Sequence, residues 1–274
     1  MSKEKTYKSK QELFKHLHEN NFDIIEMKKA SKKTYVFTPS IVDTCKDPIA
    51  QKALLTSTEK DTDTMIQRTI IGNTYNWLDS HGDVHVGSTF NKSIGERVGK
   101  IWHLHDHEYK ITAKVGTPQK VYEKEIKWSD LGVEKSGKTT VLMMDTNIEK
   151  SKNAQIFKEY NDGLIDQHSV GMYYVKIVLA MDSDEPDHTQ YKDNYDEFID
   201  RIGNKDKAEE IGYFYAVKEA KLIEISAVLE GSNELTPTLG VEDIEPLKNT
   251  QGNQPTKVTD ESKQERPKGT IHFY

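Results

Sequence analysis

The chain has 274 residues, 30% of them charged and 35% hydrophobic, with a mean hydropathy of -0.76. That is a water-soluble composition with enough apolar residues for one modest core, and no window approaches the roughly 18 continuous apolar residues of a membrane span. A formal net charge of -7 argues against nucleic acid or an anionic membrane as partner, and the single Cys45 excludes an internal disulfide or a multi-cysteine metal site.

The first residues, M-S-K-E-K-T-Y-K-S-K, lack the apolar run of a signal peptide, so a cytosolic protein is expected. Residues 9–19 have helical periodicity, with Leu13, Phe14 and Leu17 on one side and Asn20-Asn21 as a stop. Residues 33–38 read as a strand, and D-P-I-A-Q-K-A-L-L from Asp47 as a short helix with Asp at the cap and Pro in its first turn. Residues 58–64 read as a solvated loop, and M-I-Q-R-T-I-I-G from Met65 as a strand.

From there the chain is strand-dense, with candidates at 98–105, 109–115, 119–127, 139–144, 169–179, 211–219 and 221–229. Two helices interrupt them. One spans 147–163, with Ile148, Ile156, Phe157 and Tyr160 on a buried stripe and Gly163 past its end; the other closes at Gly203. Residues 182–192 and 203–210 are too charged for core, and 241–274 has the polar composition of a disordered tail. The expected class is α+β, a mostly antiparallel β-barrel or sheet with a few helices around it. The expected parts are an N-terminal extension (1–64), a core domain (65–240) and the tail (241–274).

Three segments could carry chemistry. In K-I-W-H-L-H-D-H-E-Y-K-I, residues 100–111, a strand would put His103, His105 and His107 in one row and turn Trp102 and Leu104 to the core. Such a row suits proton handling or metal binding, and a metal-dependent β-barrel enzyme using it is a rival reading. In D-G-L-I-D-Q-H-S-V-G-M, residues 162–172, alternation turns His168 away from Ser169. A base for Ser169 must therefore come from another strand; on its own, H-S-V-G reads as a plain strand serine. In A-K-L-I-E-I-S-A-V-L, residues 220–229, Glu224 sits in a strand apolar on both faces. A buried carboxylate needs a partner: a structural Lys or Arg, or a histidine that it orients. Together the three supply a hydroxyl, an imidazole and a carboxylate, the minimum set for acyl transfer by serine.

In order and context these segments resemble the tailed-bacteriophage prohead maturation proteases, whose fold is related to the herpesvirus assemblin serine proteases. W-L-D-S-H-G-D-V-H-V-G-S-T-F-N-K-S-I from Trp77, I-W-H-L-H-D-H, D-G-L-I-D-Q-H-S-V-G-M and L-I-E-I-S-A-V-L carry the likeness over residues 65–235. After the last segment V-L-E-G-S-N-E stands where the family has a Pro-Ala-Asn-like turn. The resemblance implies an assemblin-like fold and a serine endopeptidase with Ser169 as nucleophile, His105 as base and Glu224 as third member, without cofactor or metal. His103 and His107 flank His105 and leave the choice of base open. Also implied are capsid and scaffold proteins as substrates, self-cleavage in the tail, a homodimer, and a location in the host cytoplasm inside the assembling procapsid. A catalytically silent scaffold or virion protein of the same fold is the non-enzymatic alternative.

Overall fold

The computed structural model describes residues 7, 9–30 and 61–239. The strand expected at 33–38, the helix from Asp47 and the tail lie outside those residues. Helix α1 (Lys10–Ala30) comes first, followed by β1 (Met65–Thr74), β2 (Asp83–His85), α2 (Asn91–Glu96), β3 (Trp102–His105), β4 (Lys114–Lys127) and β5 (Lys138–Glu149). Then come α3 (Ala154–Asn161), β6 (His168–Met181), α4 (Thr189–Phe198), α5 (Lys205–Ile211), β7 (Tyr213–Ala227) and β8 (Thr238–Leu239). No helix among the described residues is long and apolar enough to cross a membrane.

The eight described strands form one mixed, open sheet in the order β2-β7-β3-β4-β5-β1-β8, with β6 on the remaining side of β7. The class is α+β; of the two expected forms, barrel or sheet, the described strands make an open sheet and not a closed barrel. β2 and β3 both lie parallel to β7, at its start and its end; every other ladder is antiparallel. Side-chain bonds from Thr236 to His168 and from Thr238 Oγ1 to Ile165 O span the gap between the two ends of the sheet, where no ladder runs. Closure needs strand tilt and stagger to match around the ring, and strand patterning does not encode that.

Ile66, Ile70, Leu142, Met144, Val170, Leu179, Val217 and Ile225 are buried together in the main core cluster. Helix α1 does not stop at Asn20: that side chain donates 2.9 Å to His16 O and satisfies itself within the helix. Beyond it Ile24 and Ile25 still pack on the core, while Phe14 and Leu17 are buried earlier in the helix. Lys28 then fixes the last turn, its Nζ 2.5 Å from Asp83 Oδ1 on β2. The helix expected from 147 begins only at Ala154, where Asn153 caps it by accepting Ile156 N–H at 3.1 Å. The two strands expected at 211–219 and 221–229 are one, β7; its ladder with β6 shifts register three times, with Ile223 and Lys218 of β7 and Val175 of β6 as the extra residues.

The W-L-D-S-H-G-D segment makes a tight turn into β2. Asp79 Oδ1 accepts N–H from His81 at 2.8 Å and Asp83 at 2.9 Å, and Gly82 takes φ +73°, a left-handed conformation that glycine adopts without steric cost. Burial, together with neighbouring Asp83, pushes the Asp79 carboxyl up to about 8. Burial pushes Asp83 the same way, but the Lys28 ammonium and the Tyr174 hydroxyl outweigh it and hold Asp83 below the usual carboxylate range.

Candidate active site

β6 and β7 bring two of the three predicted residues together. Ser169 stands opposite Ser226 and Gly171 opposite Glu224 in the antiparallel ladder. Opposed residues share a face with Cβ atoms about 5 Å apart, and residues two apart share it too. Ser169, Ser226 and Glu224 therefore lie on one face, the outer one. His168 opposes Ala227 and points to the other face, as alternation requires.

The histidine row does not form, because β3 ends at His105. Parallel pairing sets Trp102 and Leu104 beside Glu224 and Ser226, on the outer face, and sets His103 and His105 beside Ile225 and Ala227, facing the other way. This reverses the expected orientation. His103 is buried, 3.1 Å from Thr146 Oγ1 and 3.0 Å from Tyr160 OH. His105, the expected base, is separated from Ser169 and Glu224 by the sheet; its Nδ1 lies 2.9 Å from the exposed Asp106 carboxylate.

His107 is the histidine that reaches the acid. Asp106 and His107 both take left-handed backbone, φ 51° and 55°, a region costly for most side chains but tolerated better by Asp and His. Asp106 N–H is held by Ala227 O at 2.9 Å, and the two left-handed residues fold the chain back over the sheet. His107 N–H then donates to Ser226 Oγ at 3.2 Å, and His107 Nδ1 lies 2.9 Å from Glu224 Oε1. Ser226 Oγ donates to the other carboxylate oxygen at 2.7 Å. Glu224 is fully buried and the His107 side chain 6% exposed, so the pair is shielded from solvent.

A carboxylate only accepts, so Nδ1 carries a hydrogen; in the neutral ring Nε2 is then the nitrogen with the lone pair. That Nε2 is buried and has no hydrogen-bond partner among the described residues. Ser169, 6% exposed, stands across the ladder from the serine that His107 grips. No hydrogen bond joins Nε2 to Ser169 Oγ in this state; such contacts commonly close only when substrate is bound.

Comparison with protein-family models, curated proteins and solved structures finds no match.

The three histidines expected as a metal row occupy three separate environments, and with them the rival metal reading loses its ligand set. The converging ligand-type group among the described residues is Asp79, His81 and Asp83, whose donor atoms lie within 4.8 Å of one another. Lys28 already places an ammonium on Asp83 there. Sequence reasoning missed Ser226, which bridges His107 and Glu224, and Asn233, which donates 2.7 Å to Thr74 O in the turn after β7. Ser226 was within reach, being two residues from Glu224 on the same strand face; Asn233 acts through a contact that no local pattern signals.

Proposed function

We propose that the protein is a serine endopeptidase in which Ser169 is the nucleophile, His107 the general base and Glu224 the residue that orients it. The observation that carries this reading is His107 itself: Nδ1 fixed on a buried carboxylate, Nε2 buried and unpartnered, on the sheet face that Ser169 occupies. In the reaction Ser169 Oγ attacks a peptide carbonyl while His107 Nε2 takes its proton. The imidazolium is steadied by Glu224 and then protonates the leaving amine, and water repeats the sequence to free the acyl group. Ser226 keeps the second oxygen of Glu224 occupied, so the carboxylate presents Oε1 to the ring.

The assignment of base replaces His105 with His107. The resemblance to prohead maturation proteases still supports the substrate class, capsid and scaffold proteins of an assembling procapsid, and supports an assemblin-like fold. Ser169→Ala is the direct test. Co-expressed with its capsid and scaffold proteins, the variant is expected to remain folded and to leave them uncut. Normal processing by folded Ser169→Ala refutes the proposal.

A further inference from the structure

Behind Ser169, on the inner face of the same ladder, lies a second polar chain. Thr146 Oγ1 is 3.1 Å from His103 Nδ1, and His103 Nε2 is 3.0 Å from Tyr160 OH. Tyr160 OH is 2.8 Å from His168 Nε2, and His168 Nδ1 is 2.8 Å from the Thr236 carbonyl. All five residues are buried. They come from β5, β3, α3, β6 and the segment before β8, so the chain crosses the gap between the two ends of the sheet.

One acceptor fixes every proton in it. A carbonyl cannot donate, so His168 carries its hydrogen on Nδ1. His168 Nε2 is then an acceptor and takes the Tyr160 hydroxyl hydrogen. The Tyr160 oxygen accepts from His103 Nε2–H, and His103 Nδ1 accepts from Thr146. Burial holds His168 down to about 4, and burial with the neighbouring His168 holds His103 down to about 3. Both rings are thus neutral at pH 7, and no added proton reverses the order.

The chain ends on the residue before the nucleophile. His168 N–H donates to Thr236 Oγ1 at 3.1 Å, Thr236 Oγ1 lies 2.8 Å from His168 O, and the ring bond to Thr236 O is the third tie. The loop after β7 presses on the same carbonyl: a Cβ on Gly231 would stand 2.7 Å from His168 O.

We infer that Tyr160 and Thr236 are positioning residues for Ser169, holding the His168–Ser169 peptide in the orientation that presents the serine hydroxyl on the outer face. The catalytic consequence rests on the peptidase reading; the hydrogen-bond chain does not. Nitrogen NMR of histidine-labelled protein at pH 7 is expected to show His168 as the Nδ1–H tautomer and His103 as the Nε2–H tautomer. Tyr160→Phe, which keeps the ring, removes both hydroxyl bonds, to His103 and to His168; loss of the one that ties His168 is expected to speed amide exchange at residues 168–170 about tenfold. Exchange at the far end of β6, residues 177–181, stays at the wild-type rate, and kcat falls about tenfold at unchanged KM. Thr236→Val probes the same peptide from its other side, and Thr236→Ser restores it by returning the hydroxyl. An Nε2–H tautomer at His168, wild-type exchange at 168–170 in Tyr160→Phe and Thr236→Val, or an unchanged kcat in an active enzyme overturns the inference. A wild-type protein that cleaves nothing refutes the peptidase reading instead, and the tautomer and exchange measurements still decide the positioning role.

Discussion

Replacing His107 separates the two candidate bases. If His107 is the base, His107→Ala removes the proton acceptor, a contribution of about 10³-fold or about 4 kcal/mol in kcat/KM. It also takes one partner from Glu224, which is fully buried and keeps Ser226 on its other oxygen. Losing one hydrogen bond to a buried carboxylate costs about 1–3 kcal/mol of stability. His107→Asn keeps the two effects apart. Its amide nitrogen lies near the Nδ1 position and can still donate to Glu224, and Asn tolerates the positive φ of this residue. It has no counterpart of Nε2, so activity falls as far as in His107→Ala while stability stays near wild type. His105→Ala removes an ion pair whose Asp106 side chain is 63% exposed, and both properties should remain near wild type. The assay is cleavage of capsid and scaffold proteins, read by mass spectrometry, beside a denaturant titration of each variant. Wild-type turnover in His107→Asn, or an equal loss in His105→Ala, would refute the assignment.

Two further predictions concern the frame. Folded Asp79 keeps its proton up to about pH 8, whereas the unfolded chain releases it near 3.8. Between those values the folded state binds more protons, so this residue makes stability fall as pH rises from about 4 to about 8. Asp83 is shifted the opposite way, and its contribution is lost only below that window. Asp79→Asn, which keeps the accepting Oδ1, should remove the decline; parallel denaturation midpoints for wild type and variant across pH 4–8 would contradict it. Gly116→Ala places a Cβ 2.6 Å from Asn147 O, 2.7 Å from Thr146 Oγ1 and 3.0 Å from His103 Nδ1. It is expected to destabilise by about 2 kcal/mol and to move the His103 ring resonances; an unchanged melting curve would show that β4 and β5 do not approach this closely.

The parts of the site governed by strand alternation were legible in the sequence. That His168 turns away from Ser169, and that Glu224 and Ser226 share a face, follow from a period of two and need no knowledge of neighbours. Which strands meet did not follow, and neither did the sense in which β3 pairs with β7. The histidine row failed for a local reason: β3 runs only from Trp102 to His105, and the chain leaves it through left-handed Asp106 and His107. A D-H pair tolerates that turn without announcing it, since neither residue is glycine. The H-D pattern drew attention to His105 by its place in a motif, while the contact that matters, His107 to Glu224, spans residues 107 to 224 and depends on the parallel register. Tyr160 was visible as a buried helix position, but its hydroxyl's place between two histidines is a tertiary property.

The same short strand start carries two polar systems with opposite electrostatic logic, and alternation is what keeps them apart. On the inner face, His103, Tyr160 and His168 are fully buried, and each polar atom of the chain has a neutral partner. A buried network satisfied in this way costs little, and it is rigid because no link can reorient alone. On the outer face, Glu224 accepts from His107 and Ser226, but His107 Nε2 has no partner among the described residues. An unpartnered buried nitrogen is a cost, and the left-handed backbone at His107 adds to it. That atom belongs to a histidine that touches the buried acid. Ser169, one residue from the rigid inner chain, supplies the hydroxyl on that same face. A proton from that hydroxyl would give Nε2 the bond it lacks and leave the resulting charge beside Glu224.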